Sequence, residues 1–387
     1  MREGCIGDCL ACGKCESFSI LDSFISSEIS VEPRSGFGVA ADIGTTSVVL
    51  ALFDLASGKR LARHSFMNPQ RRFGPDVISR IDAANRGHLK DLRRLITESV
   101  AAGIETLLTS AGVRPAQIAD VTAAGNTTMT YLLLGLPCES LGVLPFKPAF
   151  ELAEAYDFSG VFGLGDIRCP LHVVPWLSAF VGGDIVAGLL HMPEAKQSRF
   201  LLVDLGTNGE MALYDKGKLT VTSTAAGPAF EGSAHGGGAS AVLDDLAALV
   251  RAEYVDETGL LTSGAPELFS QKEIRDLQLA KSAVRAGLEI LLDSAGLDCD
   301  AIDAVYLAGG IGQAMDVNSA VTVGLLPAGL GGKSRAVGNA SLGGAARLLL
   351  APVRTAADME KLLAAAREIN LAKHPRFNEL FMEHMYF

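Results

Sequence analysis

The apolar positions of this chain follow two rhythms. Short, nearly continuous apolar runs such as Gly38-Val-Ala-Ala-Asp-Ile-Gly-Thr-Thr46 meet a single carboxylate, Asp42, and break at Gly44. That is the pattern of a buried strand running into a tight turn. Val48 to Phe53 and Arg60 to His64 continue it as two further strands around Ala56-Ser-Gly-Lys59. The second rhythm is helical: Leu92, Leu95, Ile96, Val100, Ile104, Leu107 and Leu108 predict an amphipathic helix over Leu89 to Thr109. Between the two, Asn68-Pro-Gln-Arg-Arg-Phe-Gly-Pro-Asp-Val-Ile-Ser-Arg-Ile81 reads as a loop entering a helix near Pro75. Asp76 then falls in the first turn, where it complements the helix dipole. Val121-Thr-Ala-Ala-Gly-Asn-Thr-Thr-Met129 predicts a strand, a glycine turn and a helix start capped by Asn126 or Thr127.

The whole order then repeats. Phe200-Leu-Leu-Val-Asp-Leu-Gly-Thr-Asn-Gly-Glu210 restates the first run 162 residues further on, from Asp42 to Asp204. Met211 to Tyr214 and Leu219 to Thr224 follow as strands around Asp215-Lys-Gly-Lys218. A helix over Glu273 to Ser294 ends in Ser294-Ala-Gly296 as the first ends in Ser110-Ala-Gly112, and Val305-Tyr-Leu-Ala-Gly-Gly-Ile-Gly312 corresponds to Val121 to Asn126. Ala340-Ser-Leu-Gly-Gly-Ala-Ala-Arg-Leu-Leu349 echoes Ala179-Phe-Val-Gly-Gly-Asp-Ile-Val-Ala-Gly188, and both are expected to pack closely on a sheet. The expectation is a duplicated α/β domain with a cleft between its halves: 37–198 with an insertion at 138–175 forming a loop or lid, and 199–351 with an insertion at 225–272. Segment 352–387 reads as a helical tail whose Phe377, Phe381, Tyr386 and Phe387 pack on the body or on a twin subunit, as in a homodimer.

Composition narrows this. With 387 residues the chain is too long for one core, and 42 glycines with 49% hydrophobic residues fit a globular α/β protein with many tight turns. No apolar run reaches 18 residues and no signal-peptide core is present, so the chain is expected to be cytoplasmic. A net charge of −11 without a Lys/Arg-rich tract disfavours nucleic acid as a partner.

The cysteines are uneven: four of seven fall in the first fifteen residues, as Cys5-x3-Cys9-x2-Cys12-x2-Cys15, while Cys138, Cys169 and Cys299 are scattered. This suits a metal or cluster site better than a disulfide framework. Segment 1–36 is too short for a core of its own, so metal binding or docking must order it. Four thiolates in eleven residues suit a [4Fe–4S] cluster. A zinc knot held by the same four thiolates and unligated reactive thiols are the alternatives. The usual remote Cys-Pro ligand is missing, with Cys169-Pro170 a distant substitute for Cys15, and no half-barrel of a radical-SAM enzyme follows.

The two hairpins carry the other chemistry. Gly44 and Gly206 permit a tight turn and let backbone N–H groups approach phosphate oxygens, while Thr45, Thr46, Thr207 and Asn208 add hydrogen-bonding side chains. Asp42 and Asp204 are placed to hold a Mg²⁺ that keeps much of its water. One such motif alone would read equally as a plain hairpin turn; two in matching contexts point to a nucleotide clamp.

Asp42-Ile-Gly-Thr-Thr46 resembles the first phosphate motif of the acetate kinase, sugar kinase, Hsp70 and actin superfamily. Asp204-Leu-Gly-Thr-Asn208 resembles the second, Leu307-Ala-Gly-Gly-Ile-Gly312 the adenosine motif, and Ala123-Ala-Gly-Asn-Thr127 the connecting motif. Within it, the loop from Asn68 to Arg80, Ala226-Gly-Pro-Ala-Phe-Glu231 and the aromatic tail are similar to the ATP-dependent reductive activators of corrinoid proteins, over residues 37 to 387. The resemblance implies duplicated RNase H-like, actin-like ATPase domains, with ATP between the halves and Gly309 and Gly310 letting the adenosine approach. It implies Mg²⁺ on Asp42 and Asp204 and a water-orienting carboxylate, Glu231 first and Glu210 second, either of which is otherwise an ordinary capping residue. An iron–sulfur relay on Cys5, Cys9, Cys12 and Cys15 would pass an electron from an external low-potential donor to Co(II) of a corrinoid protein. Better-known activators carry a full ferredoxin-type domain where this chain has a fifteen-residue cysteine motif. The alternatives are an activator of another low-potential iron–sulfur enzyme such as a radical dehydratase, a small-molecule kinase, and an ATP-switched metallochaperone or assembly factor.

Overall fold

The computed structural model describes residues 29–192, 198–206, 208–225, 228–231 and 238–387. They fall into two units: one holds the described residues up to Met192 together with Ala340–Ala364, the other runs to Asn339 and resumes at Ala365–Phe387.

In the first unit β1 (Phe37–Ile43), β2 (Ser47–Asp54), β3 (Arg60–Met67), β4 (Ile118–Gly125), β5 (Tyr156–Asp157) and β6 (Pro170–Val173) form a sheet of order β3-β2-β1-β4-β6-β5. β1–β2 and β2–β3 are antiparallel, while β1–β4 and β4–β6 are parallel. The apolar runs of β1 and β2 are continuous because both faces are covered. Val39, Ala41, Ile43, Val48, Leu50 and Leu52 face one cluster; Ala40, Val49, Ala51 and Phe53 face another. The helices α1 (Val77–Ala83), α2 (Leu89–Ala111), α3 (Thr127–Leu134) and α4 (Gly183–His191) follow in chain order. The helical stripe of α2 packs as its spacing predicts, and α2 ends on Gly112 at φ 67°, the left-handed cap that glycine adopts without penalty. Two details differ from expectation. Asp76 is the N-cap of α1, its carboxylate accepting from the backbone N–H of Ser79, rather than a first-turn residue. The segment 138–175 is more than a lid, since its end supplies β6 to the sheet.

The second unit repeats the plan. β7 (Arg199–Leu205), β8 (Gly209–Asp215), β9 (Lys218–Thr224), β10 (Ala304–Ala308), β11 (Ser334–Gly338) and β12 (Ala366–Glu368) take the order β11-β10-β7-β8-β9-β12. The run β9-β8-β7-β10-β11 thus matches β3-β2-β1-β4-β6, three antiparallel strands followed by two parallel ones. Here α5 (Gly238–Arg251) and α6 (Gln271–Ala295) pack on the sheet, and α7 (Gly309–Ala314) leaves β10 directly.

The chain then returns to the first unit as α8 (Ala340–Leu350) and α9 (Pro352–Ala365). The sequence places 340–351 with the second half; the structure seats α8 on the first sheet and on α4. α8 is apolar on almost every side, with Leu342, Ala345, Ala346 and Leu349 fully buried. The last helix, α10 (Phe377–Glu383), lies on α6 through Leu380, Phe377 and Phe381 against Ala286 and Ile290. Beyond α10, Ser282 Oγ donates to the His384 carbonyl and Gln278 Nε2 to that of Met385, each at 2.7 Å. The tail therefore packs on its own body.

Candidate functional site

At the first hairpin Asp42 lies opposite Val49 on β2 and Ala124 on β4, one residue from the end of β1. A Cβ on Gly44 would sit 2.5 Å from the Ser47 carbonyl oxygen, so the turn requires glycine. The tip is held from two sides. Asn126 caps α3 by accepting from the Met129 N–H at 2.9 Å, and its Nδ2 donates to Thr45 Oγ1 at 2.8 Å. Asn68 donates from its backbone to Thr46 O at 2.9 Å and from Nδ2 to Gly44 O at 2.8 Å.

The loop carrying Asn68 is itself anchored by buried polar groups. Gln70 Nε2 donates to Leu92 O at 2.9 Å, Arg80 Nε to Gly74 O at 3.0 Å and Arg80 Nη1 to Met129 Sδ at 3.3 Å. Asn68, Gln70 and Arg80 are all fully buried. Burial, outweighing the nearby Asp76, pushes Arg80 down to about 10, which still leaves it a cation at neutral pH. The loop singled out in the sequence is thus a polar brace for the hairpin tip.

Two side chains that sequence reasoning missed complete this end. Asp184, in the first turn of α4, is close enough to Asp42 for the two carboxylates to repel; desolvation first and Asp42 second push it up to about 7. α4 reaches this spot because a Cβ on Gly182 would lie 2.4 Å from Asn126 Cα, and one on Gly183 would lie 2.3 Å from Val174 O. Ser341, near the start of α8, donates from Oγ to Asp42 Oδ1 at 2.8 Å. A signal for both existed. When the two Gly-Gly segments are superposed by sequence, Asp184 stands where the other copy has Ala345, and Ser341 where the first has Phe180.

The second hairpin places Asp204 on β7 opposite Glu210 on β8 and Ala308 on β10. Glu210 is buried. Gly309 has φ 78°, and a Cβ there would lie 2.3 Å from Asp204 Oδ1 and 2.5 Å from Leu205 O. The expectation that Gly309 makes room for adenosine therefore gains a nearer reason, which is room for Asp204; beside Gly310 no described residue lies within reach of a Cβ. The Gly206 N–H donates to Asn208 O at 2.9 Å. Thr207 lies outside the described residues, and so does the side chain of Glu231, the last residue of the turn Pro228–Glu231.

The structure therefore brings Asp42, Gly44, Thr45, Thr46 and Asn126 together in one unit, and Asp204, Gly206, Asn208, Glu210, Gly309 and Gly310 at neighbouring strand ends in the other. Among the described residues no group of three or more His, Cys, Asp or Glu is arranged to hold a metal. A Mg²⁺ shared with phosphates and water does not need such a cage, and the like-charged pair Asp42 and Asp184 is a donor set that a divalent cation would neutralise. Cys5, Cys9, Cys12 and Cys15 lie outside the described residues. Cys138 and Cys169 are buried, and desolvation pushes each thiol up to about 12; burial raises Cys299 as well. Cys169 is thus a neutral core thiol of the first unit in the absence of a metal.

Residues 37–196 match the family described as "RACo middle region", and residues 198–249 and 253–387 match "C-terminal domain of RACo the ASKHA domain". The chain belongs to the RACo family. Among relatives with names, the RACo-family chain is 31% identical to the corrinoid activation enzyme RamQ of Eubacterium limosum, covering 91% of this chain and 70% of RamQ. It is 21% identical to the [Co(II) methylated amine-specific corrinoid protein] reductase of Methanosarcina barkeri, covering 89% and 76%. The solved structure of a reductive activator for corrinoid, iron–sulfur protein superposes with a TM-score of 0.81 at 30% identity, covering 92% of this chain and 67% of that one. The ASKHA match confirms the duplicated actin-like ATPase fold that the hairpin motifs imply.

Proposed function

We propose that this RACo-family protein is an ATPase that drives reductive activation of a corrinoid protein, returning Co(II) to Co(I) in the cytoplasm. The observation that carries the reading is the braced hairpin of the first unit, where Thr45, Asn68, Asn126 and Ser341 fix a glycine tip and its carboxylate within a chain matched over most of its length by corrinoid activators. No helix among the described residues is long and apolar enough to cross a membrane.

In this reading the tips at Gly44 and Gly206 present backbone N–H groups to ATP phosphates, and Thr45, Thr46, Thr207 and Asn208 add side-chain donors. Asp42 and Asp204 orient Mg²⁺, with Asp184 supporting Asp42, and Gly309 and Gly310 leave space for adenosine. Bound Mg²⁺ supplies charge neutralisation at the transferring phosphoryl group. Glu231, or failing it Glu210, orients the attacking water. Cys5, Cys9, Cys12 and Cys15 hold a [4Fe–4S] cluster, which when bound supplies one-electron relay from an external low-potential donor. Reduction of Co(II) is uphill from ordinary donors, and each tenfold shift of a one-electron equilibrium corresponds to about 59 mV. ATP-driven stabilisation of one protein state supplies that shift through differential binding.

The test is an anaerobic assay following the Co(II)-to-Co(I) spectral change with ATP, a low-potential reductant and a corrinoid partner, comparing the full chain with one lacking residues 1–16. ATP hydrolysis rising with the partner, reduction only by the full chain and no phosphate on the partner are expected. Phosphorylation of a sugar or carboxylate at equal rates by both forms would establish the kinase alternative instead.

A further inference from the structure

We propose that Ser341 is a positioning residue for the Asp42 carboxylate, fixing the orientation in which that carboxylate meets the nucleotide-bound divalent cation. The proposal rests on the reading of Asp42 as a Mg²⁺-orienting group. Its geometry is independent of that reading: Ser341 is 5% exposed and its Oγ lies 2.8 Å from Asp42 Oδ1. A hydroxyl donating to a carboxylate is a charge-assisted bond, short and directional. Packing does not call for a hydroxyl here, because the neighbouring Ala340, Leu342 and Ala345 fill the same helix with apolar groups and are equally buried.

The donor is delivered by backbone, which makes it stiff. A Cβ on Gly344 would lie 1.8 Å from Ala187 O, so α8 and α4 touch main chain to main chain. On the preceding residue, Gly343, a Cβ would lie 2.6 Å from the His191 ring. Rolling α8 to carry Ser341 off Asp42 would turn a side chain toward α4 where the contact has room only for glycine. α4 in turn is seated through Gly182 and Gly183 on Asn126 and Val174, beside the β4 residue that pairs with Asp42. Asp184 rides on α4 and Ser341 on α8, so the same helix pair that brings Asp184 to this end of the sheet also delivers the Ser341 hydroxyl to Asp42.

The experiment uses the full chain with Ser341→Ala and Ser341→Thr. Three quantities are read: ADP affinity in EDTA, Mn²⁺ affinity in the presence of ADP by electron paramagnetic resonance, and ATP hydrolysis as a function of Mg²⁺. Ser341→Ala is expected to leave metal-free ADP affinity within roughly twofold, to weaken Mn²⁺ binding several-fold and to lower kcat by about tenfold, the scale of one hydrogen bond to a charged group. Ser341→Thr, which keeps the hydroxyl, restores most of both. Unchanged Mn²⁺ affinity and kcat in Ser341→Ala overturn the proposal. Loss of metal-free ADP binding in Ser341→Ala also overturns it, since the serine would then serve only packing. A wild-type chain that binds Mn²⁺ with ADP but hydrolyses no ATP would sink the functional reading alone, because the Mn²⁺ arm still reports on Ser341.

Discussion

At the scale of single residues, two carboxylates brought close together in a buried place are a destabilising arrangement. Asp184 has its carboxyl raised from the ordinary range to about 7 by desolvation and by Asp42. The folded chain therefore holds a proton there between about pH 4 and 7 that the unfolded chain releases, and this contribution to stability is lost as pH rises through 7. Asp184→Asn should raise Tm by a few degrees in EDTA at pH 8, with the gain vanishing toward pH 4, while slowing Mg²⁺-dependent hydrolysis at least tenfold. Equal melting of the two proteins at pH 8 would show that Asp184 is not strained. The paired glycines give a second contrast. Gly309→Ala meets Asp204 Oδ1 and Leu205 O at a positive φ, whereas Gly310→Ala meets none of the described residues. The first is expected to abolish hydrolysis by displacing Asp204, the second to fold normally and only weaken nucleotide affinity; isothermal titration and a phosphate-release assay separate them. Asp42, Asp204 and the tip glycines were legible in the sequence because carboxylate, glycine and hydroxyl are adjacent there. Asp184 had only the mismatch of the two Gly-Gly segments as a signal, since its place beside Asp42 depends on α4 meeting the end of β4 in three dimensions.

Among elements, α8 and α4 show what a Gly-Gly pair does in this fold. Both were expected to lie on a sheet. Gly182 and Gly183 do meet the end of β4, but Gly343 and Gly344 face α4 instead. Helical period identifies which residues share a side, and it carries no information about which neighbour that side will meet. Gly344→Ala should therefore be among the more damaging single changes outside the hairpins, about 3 kcal/mol by urea unfolding, because the added methyl can be housed only by separating two backbones. The far end of α8 is tied as well. The Glu32 N–H donates to Leu350 O at 2.8 Å, and the Glu32 carboxylate accepts from the N–H groups of Val353 and Arg354, each at 3.0 Å, at the start of α9. Arg34 donates to Leu349 O and pairs with Asp120 at 2.9 Å. The short stretch before β1, which the sequence marks only as a linker, is thus fastened to the first unit by a cap and an ion pair.

For the whole molecule, the duplication was readable because each copy repeats strand, carboxylate, glycine turn and long helix in one order. The division of the chain was less so: α8 continues from β11 without any break in composition, yet belongs to the other unit. The chemistry of the cysteine motif is tested directly. Protein isolated anaerobically should contain iron and acid-labile sulfide, with a broad visible absorption lost on Cys9→Ala or Cys12→Ala; stoichiometric zinc without sulfide would replace the redox role with a structural one.

The return of α8 also orders events during synthesis. One face of the first sheet, with Ala40, Ala51 and Phe53, is covered by Leu342, Ala345, Ala346 and Leu349. Those residues leave the ribosome only after every strand of the second unit except β12. Until then that face of the first unit is covered only in part, by Val186, Ala187 and Leu190 of α4, while its neighbour is already being made, a state of high contact order in which the nascent chain is open to aggregation and to chaperones. The helix that bonds Asp42 is among the last pieces to arrive, so a chain stalled before it holds the first hairpin in outline and lacks the Ser341 hydrogen bond to its carboxylate.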